Sequence, residues 1–143
     1  AYDLLGANPD ALSSASGMPR ATALYGPLPE QLASTNSFAS RLAQIIKVRK
    51  RNGIDTSALV DVPEVAHKSL LVMVNKLEIG ATQVTALNFG QDKITARIQS
   101  DALPAGRVFD LSTRRKVDTV DDLGGFSLTL PAFGGMAMIV RES

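Results

Sequence analysis

Hydrophobic positions along this chain change period once. From Phe38 they recur through Leu42, Ile45 and Ile46, with Ala39 and Ala43 between them. That i, i+4, i+7, i+8 spacing lines one face of an α-helix. Asn36 and Ser37 supply side-chain oxygens for orphan N–H groups at the start, and Asn52-Gly53 supplies a residue that tolerates positive φ at the end. The pattern predicts a helix from Ser37 to Arg51 with an apolar stripe built for burial. From Ile54 onward the period is 2. Ile94, Ala96 and Ile98 alternate with Lys93, Thr95 and Arg97, and Phe126, Leu128 and Leu130 alternate with Ser127 and Thr129. Strands are predicted at Ala58 to Val62, Ser69 to Leu77, Thr82 to Phe89, Lys93 to Gln99, Arg107 to Leu111, Lys116 to Val120, Phe126 to Leu130 and Met136 to Arg141. Turn formers such as Glu78-Ile79-Gly80, Gly90-Gln91-Asp92 and Gly134-Gly135 bound them. About eight short strands at this spacing predict a mainly β fold, an antiparallel β-sandwich of Greek-key type. Leu70 to Val74 is apolar on both faces, so it is expected as a central strand covered on both sides.

The first 35 residues follow neither period. Asn8-Pro9, Met18-Pro19 and Pro27-Leu28-Pro29 remove backbone donors and fix φ, which excludes one long helix or a central strand. The segment reads as an ordered loop whose apolar residues, among them Leu4, Leu5, Leu24 and Leu28, have no local element to bury them. They call for a scaffold outside this chain. The start, Ala1-Tyr2-Asp3, has neither a methionine nor a charged leader head, so the chain is expected to be cut from something longer.

Composition narrows the function classes. At 143 residues, 45% hydrophobic and 20% charged, the chain can build a hydrophobic core. No apolar run reaches the ~18–20 residues of a membrane span, and no membrane partner is expected. The absence of cysteine excludes disulfides and thiolate metal sites, and a single histidine excludes any zinc motif needing two. Residues 1–53 carry six Lys/Arg against three Asp/Glu, whereas 54–143 carry nine against eleven. The one dense basic run, Lys47, Arg49, Lys50 and Arg51, falls where a helix ends and suits the helix dipole. No nucleic-acid partner is expected.

Candidate chemistry is sparse. His67 lies between predicted strands and reads as an exposed turn histidine. Ser14, Ser16 and Ser37 lack a Gly-x-Ser-x-Gly elbow. Asp118, Asp121 and Asp122 could offer oxygen ligands to calcium, but without the glycine and spacing of a calcium loop they read as a solvated turn. The sandwich's phenylalanines, Phe89, Phe109, Phe126 and Phe133, fit the core better than an exposed stacking platform. No catalytic residue and no metal ligand is therefore assigned.

Resemblance adds what spacing does not. The stretches Tyr2-Asp3-Leu4-Leu5-Gly6-Ala7-Asn8-Pro9, Ser14-Ala15-Ser16-Gly17-Met18-Pro19-Arg20 and Leu24-Tyr25-Gly26-Pro27-Leu28-Pro29-Glu30-Gln31-Leu32 resemble the C-terminal region of bacterial trehalose synthases (maltose α-D-glucosyltransferases), enzymes of the α-amylase superfamily. Leu59 to Pro63, Leu71 to Val74, Leu87-Asn88-Phe89-Gly90 and Asp121-Asp122-Leu123-Gly124 continue it, so it covers essentially the whole chain. The resemblance implies a (β/α) barrel followed by a β-sandwich. Residues 1–53 would be the barrel's last loop and helix, and 54–143 the C-terminal β-sandwich domain. A whole barrel needs about 250 residues, so its remainder, the expected partner, lies upstream.

The family's chemistry is retaining transglycosylation between maltose and trehalose through two carboxyl groups. Those groups belong to earlier barrel strands, so Asp3, Asp10 and Glu30 are not promoted in their place. Arg20 and Tyr25 are the candidate polar contacts of the loop, to substrate or as anchors against the barrel. The fragment is expected to need no cofactor, and any calcium would belong to the upstream part. The resemblance places the parent in the cytoplasm and leaves a homo-oligomer open. Three readings stand: a non-catalytic C-terminal piece of a trehalose synthase, the same piece of a hydrolase or sucrose-acting relative, and an independent glucan-binding module.

Overall fold

The computed structural model describes Tyr25 and residues 28–142, and the chain divides into two units, one ending at Lys47 and the next beginning at Val48. Arg20 and the stretches 2–9 and 14–20 lie outside the described residues.

Among the described residues two helices precede the strands: α1 (Leu28–Ala33) and α2 (Phe38–Arg51). The first corrects the reading of a loop running to residue 35. Pro29 falls in its first turn, where a missing N–H breaks no hydrogen bond and the fixed φ favours the helix. Ser37 caps α2 as expected, its Oγ accepting the Ser40 N–H at 3.2 Å. The Ser37 and Ser40 hydroxyls both donate to the Gln31 carbonyl, which joins the end of α1 to the start of α2. At the other end Gly53 takes φ 63°. The Ile54 N–H reaches Arg49 O at 2.9 Å and the Gly53 N–H reaches Lys50 O at 3.3 Å, a Schellman closure. The expected stripe is present, yet Phe38, Leu42, Ile45 and Ile46 are 43–58% exposed and no residue of α2 is buried. No helix among the described residues is long and apolar enough to cross a membrane.

Eight strands follow: β1 (Ala58–Asp61), β2 (Leu70–Lys76), β3 (Thr82–Asn88), β4 (Ile94–Gln99), β5 (Gly106–Asp110), β6 (Lys116–Val120), β7 (Gly125–Leu130) and β8 (Gly135–Glu142). All pair antiparallel, in a six-stranded sheet ordered β1-β2-β3-β8-β5-β6 and a two-stranded sheet of β4 and β7. Strand β8 returns to lie beside β5, so β5 to β8 trace a Greek key. The inward residues of both sheets form one core. Val72, Val74 and Val84 of the larger sheet share it with Ile98, Phe126 and Leu130 of the smaller.

The outward faces differ. On the small sheet the outward side chains are polar: Thr95 and Thr129 hydroxyls meet at 2.9 Å, and Arg97 pairs with Asp121. On the large sheet Leu71, Met73, Leu87, Phe109 and Ile139 are half-buried. Strand β2 is paired on both edges, by β1 and β3, but its outward Leu71 and Met73 are thus only half covered, which corrects the expectation of full cover. The same face holds a polar strip in which Asn75 Nδ2 donates to Gln83 Oε1 and Gln83 Nε2 donates to Thr85 Oγ1, both at 2.8 Å. Those bonds let Gln83 be wholly buried.

Candidate functional site

Three connections meet at one end of the sandwich: the approach to β2, the β3–β4 turn and the β7–β8 turn. Asn88, the last residue of β3 and 2% exposed, ties them together. Its Nδ2 donates to Asp92 O and to Pro131 O, each at 2.8 Å. Its Oδ1 accepts the Gly90 N–H at 2.9 Å and the Ser69 hydroxyl at 3.2 Å. Two donors and two acceptor sites are all a carboxamide side chain has. Backbone bonds reinforce the junction: Phe89 N–H to Ser69 O at 2.9 Å, Asn88 N–H to Gly134 O at 2.8 Å and Phe133 N–H to Gly90 O at 3.0 Å. A Cβ at Gly90 would lie 2.9 Å from Ser69 Oγ and 3.1 Å from Asn88 Oδ1, so a larger residue there would have to displace the Ser69 and Asn88 side chains.

On this braced end Phe89 and Phe133 are 63% and 72% exposed. Phe133 has φ 50°, a left-handed backbone that bulky side chains rarely adopt. Of the five phenylalanines only Phe126 is fully buried, and Phe109 is half-buried. The expectation that the sandwich's phenylalanines fill the core fails for Phe89 and Phe133. Phe126 sits mid-strand on an alternating run, whereas Phe89 and Phe133 fall in the turns just beyond β3 and β7, where alternation no longer sets direction.

The other candidates make contacts within the fold. Tyr25 stacks on Phe38, ring centroids 4.7 Å apart and planes at 10°. Ser37 is a helix cap, as above. His67 is half-buried, not exposed, with Nε2 3.3 Å from Thr95 O. Asp118 accepts the Ser127 N–H at 2.7 Å. Asp121 accepts from Arg97 and from the Leu123 and Gly125 amides at 3.0 and 3.1 Å. The Arg97 hydrogen bond, helped by those two amides, holds its carboxyl below the ordinary 3.8. Asp110 likewise caps Ser112 and Thr113, and Asp61 accepts the Ser100 hydroxyl. These carboxylates close turns and loops. Among the described residues no group of three or more His, Cys, Asp or Glu could hold a metal. A depression between Arg51, Thr56, Leu77, Glu78 and Ile139 measures about 220 Å³. That is below the ~300–1,000 Å³ of usual ligand pockets.

No protein-family model matches the chain, and no curated protein matches it. Solved structures do. AmyP in complex with maltose is similar at TM-score 0.63 and 11% identity, over 82% of this chain and 24% of that one. A GH30 endoxylanase from Clostridium papyrosolvens C71 gives 0.54 at 13% identity, over 76% and 31%. A candidate α-galactosidase/melibiase from Bacteroides fragilis NCTC 9343 gives 0.52 at 16%, over 74% and 23%. The chain therefore spans less than a third of the length of each of these structures. At such identities the likeness is one of fold, and that fold is one found within glycoside-hydrolase structures.

Proposed function

We propose that this chain is the C-terminal part of an α-amylase-superfamily enzyme that interconverts maltose and trehalose, and that it supports the catalytic barrel without carrying its chemistry. The observation that carries this reading is the uncovered apolar stripe of α2. Four large side chains, Phe38, Leu42, Ile45 and Ile46, lie on one helical face and remain exposed. Such a face is what the outer helix of a (β/α) barrel presents to strands lying beyond this chain. The half-buried apolar side of the larger sheet, opposed by a polar side on the smaller one, fits a sandwich with one docking face. The fold likeness to AmyP over most of the chain supports the superfamily. The trehalose synthase assignment rests on the sequence motifs.

In this reading residues 1–53 close the barrel and 54–143 form the terminal sandwich of a cytoplasmic enzyme. The parent forms a glycosyl-enzyme on an upstream carboxylate. A second carboxyl acts as acid and then base, and the released glucose is recaptured as acceptor before water intervenes. Arg20 and Tyr25 remain candidates for the loop's contacts to an α-glucoside. The AmyP likeness is also the observation that favours a second reading, in which the parent is an amylase-like hydrolase.

The test is to incubate the 143-residue chain and its full-length parent separately with maltose and resolve trehalose, glucose and maltose by chromatography. Trehalose from the parent alone is the expected result. Glucose without trehalose moves the assignment to the hydrolase, and turnover by the fragment overturns both readings.

A further inference from the structure

We infer that Phe89 and Phe133 form a non-catalytic binding tip for an α-glucan chain at the Asn88 end of the sandwich. Both rings are mostly exposed, on connections held together by the Phe133 N–H to Gly90 O bond. Phe133 holds its outward position through a left-handed backbone, an unfavourable state for a bulky residue that persists only where the surroundings impose it. Asn88 braces the backbone of both turns through its four hydrogen bonds. Turns braced before binding lose little backbone freedom when a ligand arrives.

The chemistry of the tip suits a pyranose. Aromatic faces attract the polarised C–H groups on the flat side of a sugar ring. The exposed side chains of Lys68, Gln91 and Asp92 stand in the same connections and offer donors and acceptors to sugar hydroxyls. A protein partner fits poorly. A stable protein interface takes about 800 Å² per side, whereas two phenylalanines present at most about 300–500 Å². Of the other residues in these turns, Gly90, Gln91, Asp92, Ala132 and Gly134 are small or polar, and Pro131 adds one further exposed apolar ring. The α linkage of the glucan rests on the reading of the parent as an α-glucoside enzyme; the stacking tip itself does not.

The experiment is an NMR titration of this 143-residue chain, assigned at the tip, with maltoheptaose and with cellohexaose as the β-linked comparison. Maltoheptaose is expected to shift the Phe89 and Phe133 signals saturably at millimolar concentration and more tightly than cellohexaose. Phe89→Ala and Phe133→Ala should each weaken binding roughly tenfold, while Phe38→Ala leaves it unchanged. Phe89→Trp should retain binding, and unchanged amide spectra away from the tip establish that each variant is folded. Absence of saturable shifts, or shifts indifferent to the alanine variants, overturns the site. Equal or tighter binding of cellohexaose overturns the α-glucan assignment. Tip shifts that depend on protein concentration without sugar mark a second copy of the chain as the occupant and overturn it too. The readout is binding and not turnover, so a parent that makes no trehalose leaves this result standing or falling by itself.

Discussion

Asn88→Ala removes four hydrogen bonds from a position that is 2% exposed, and its cost can be worked from the geometry. At about 1 kcal/mol net per bond, full loss would approach ~4 kcal/mol. The stranded partners stand on connections that water can reach: Asp92 and Pro131 are exposed residues, and Ser69 and Gly90 are half-buried. Rehydration recovers part of the loss, which leaves an expected destabilisation of about 2–3 kcal/mol. With a urea dependence of about 1–1.5 kcal/mol per molar for a domain of this size, the unfolding midpoint should fall by ~2 M. Ser69→Ala deletes one of the four bonds and should cost less than about 1 kcal/mol. Asn88→Asp gives a sharper check, because a carboxylate oxygen would face the Asp92 and Pro131 carbonyls where Nδ2 now donates. That variant should be less stable at pH 7 than at pH 4, where protonation restores one donor. A midpoint shift below ~0.5 M for Asn88→Ala would refute the bracing role.

Two further outcomes are expected. Asp121 should titrate below 3.8 because of Arg97 and the Leu123 and Gly125 amides. Its folded-state value is depressed, so the stability it contributes is present above 3.8 and lost as pH falls through the lowered value. A carboxyl-carbon NMR titration with a midpoint at or above 3.8 contradicts this, and Arg97→Ala should move the midpoint up. At Phe133, where φ is 50°, Phe133→Gly should be more stable than Phe133→Ala by about 1 kcal/mol. Both lose the ring, so thermal melts of the pair isolate the backbone, and alanine matching glycine would remove the strain from the argument.

The strands were the most legible part of this chain. Ile94-Ala96-Ile98 and Phe126-Leu128-Leu130 face the core as their alternation requires, and β6 has the predicted bounds. In the core strands one face must be buried, and that demand is written directly in residue order. Helix α2 was legible for the same reason, together with its Ser37 and Gly53 caps. Helix α1 is hidden in the sequence because Pro27 and Pro29 read as helix breakers, although Pro29 sits where a helix accepts one. The aromatic tip was hidden because a phenylalanine in a turn carries no periodic signal. Its direction is set by tertiary bonds such as Phe133 N–H to Gly90 O, between residues 43 apart in sequence. Asn88 was visible only as part of a motif, since an asparagine ending a strand reads as a turn former until its four partners converge on it.

Strand β8 has a consequence for synthesis. It is the last of the eight to leave the ribosome, yet it lies between β3 and β5 and is the only link joining β1-β2-β3 to β5-β6 within the larger sheet. Until it emerges, the nascent chain holds two open sheet fragments, each with an unpaired edge awaiting the same strand. Such edges invite pairing with other chains. A released chain truncated just before Gly135 would therefore be a more aggregation-prone species than one truncated before α2. A chaperone that shields strand edges would matter most in the interval before that strand is released.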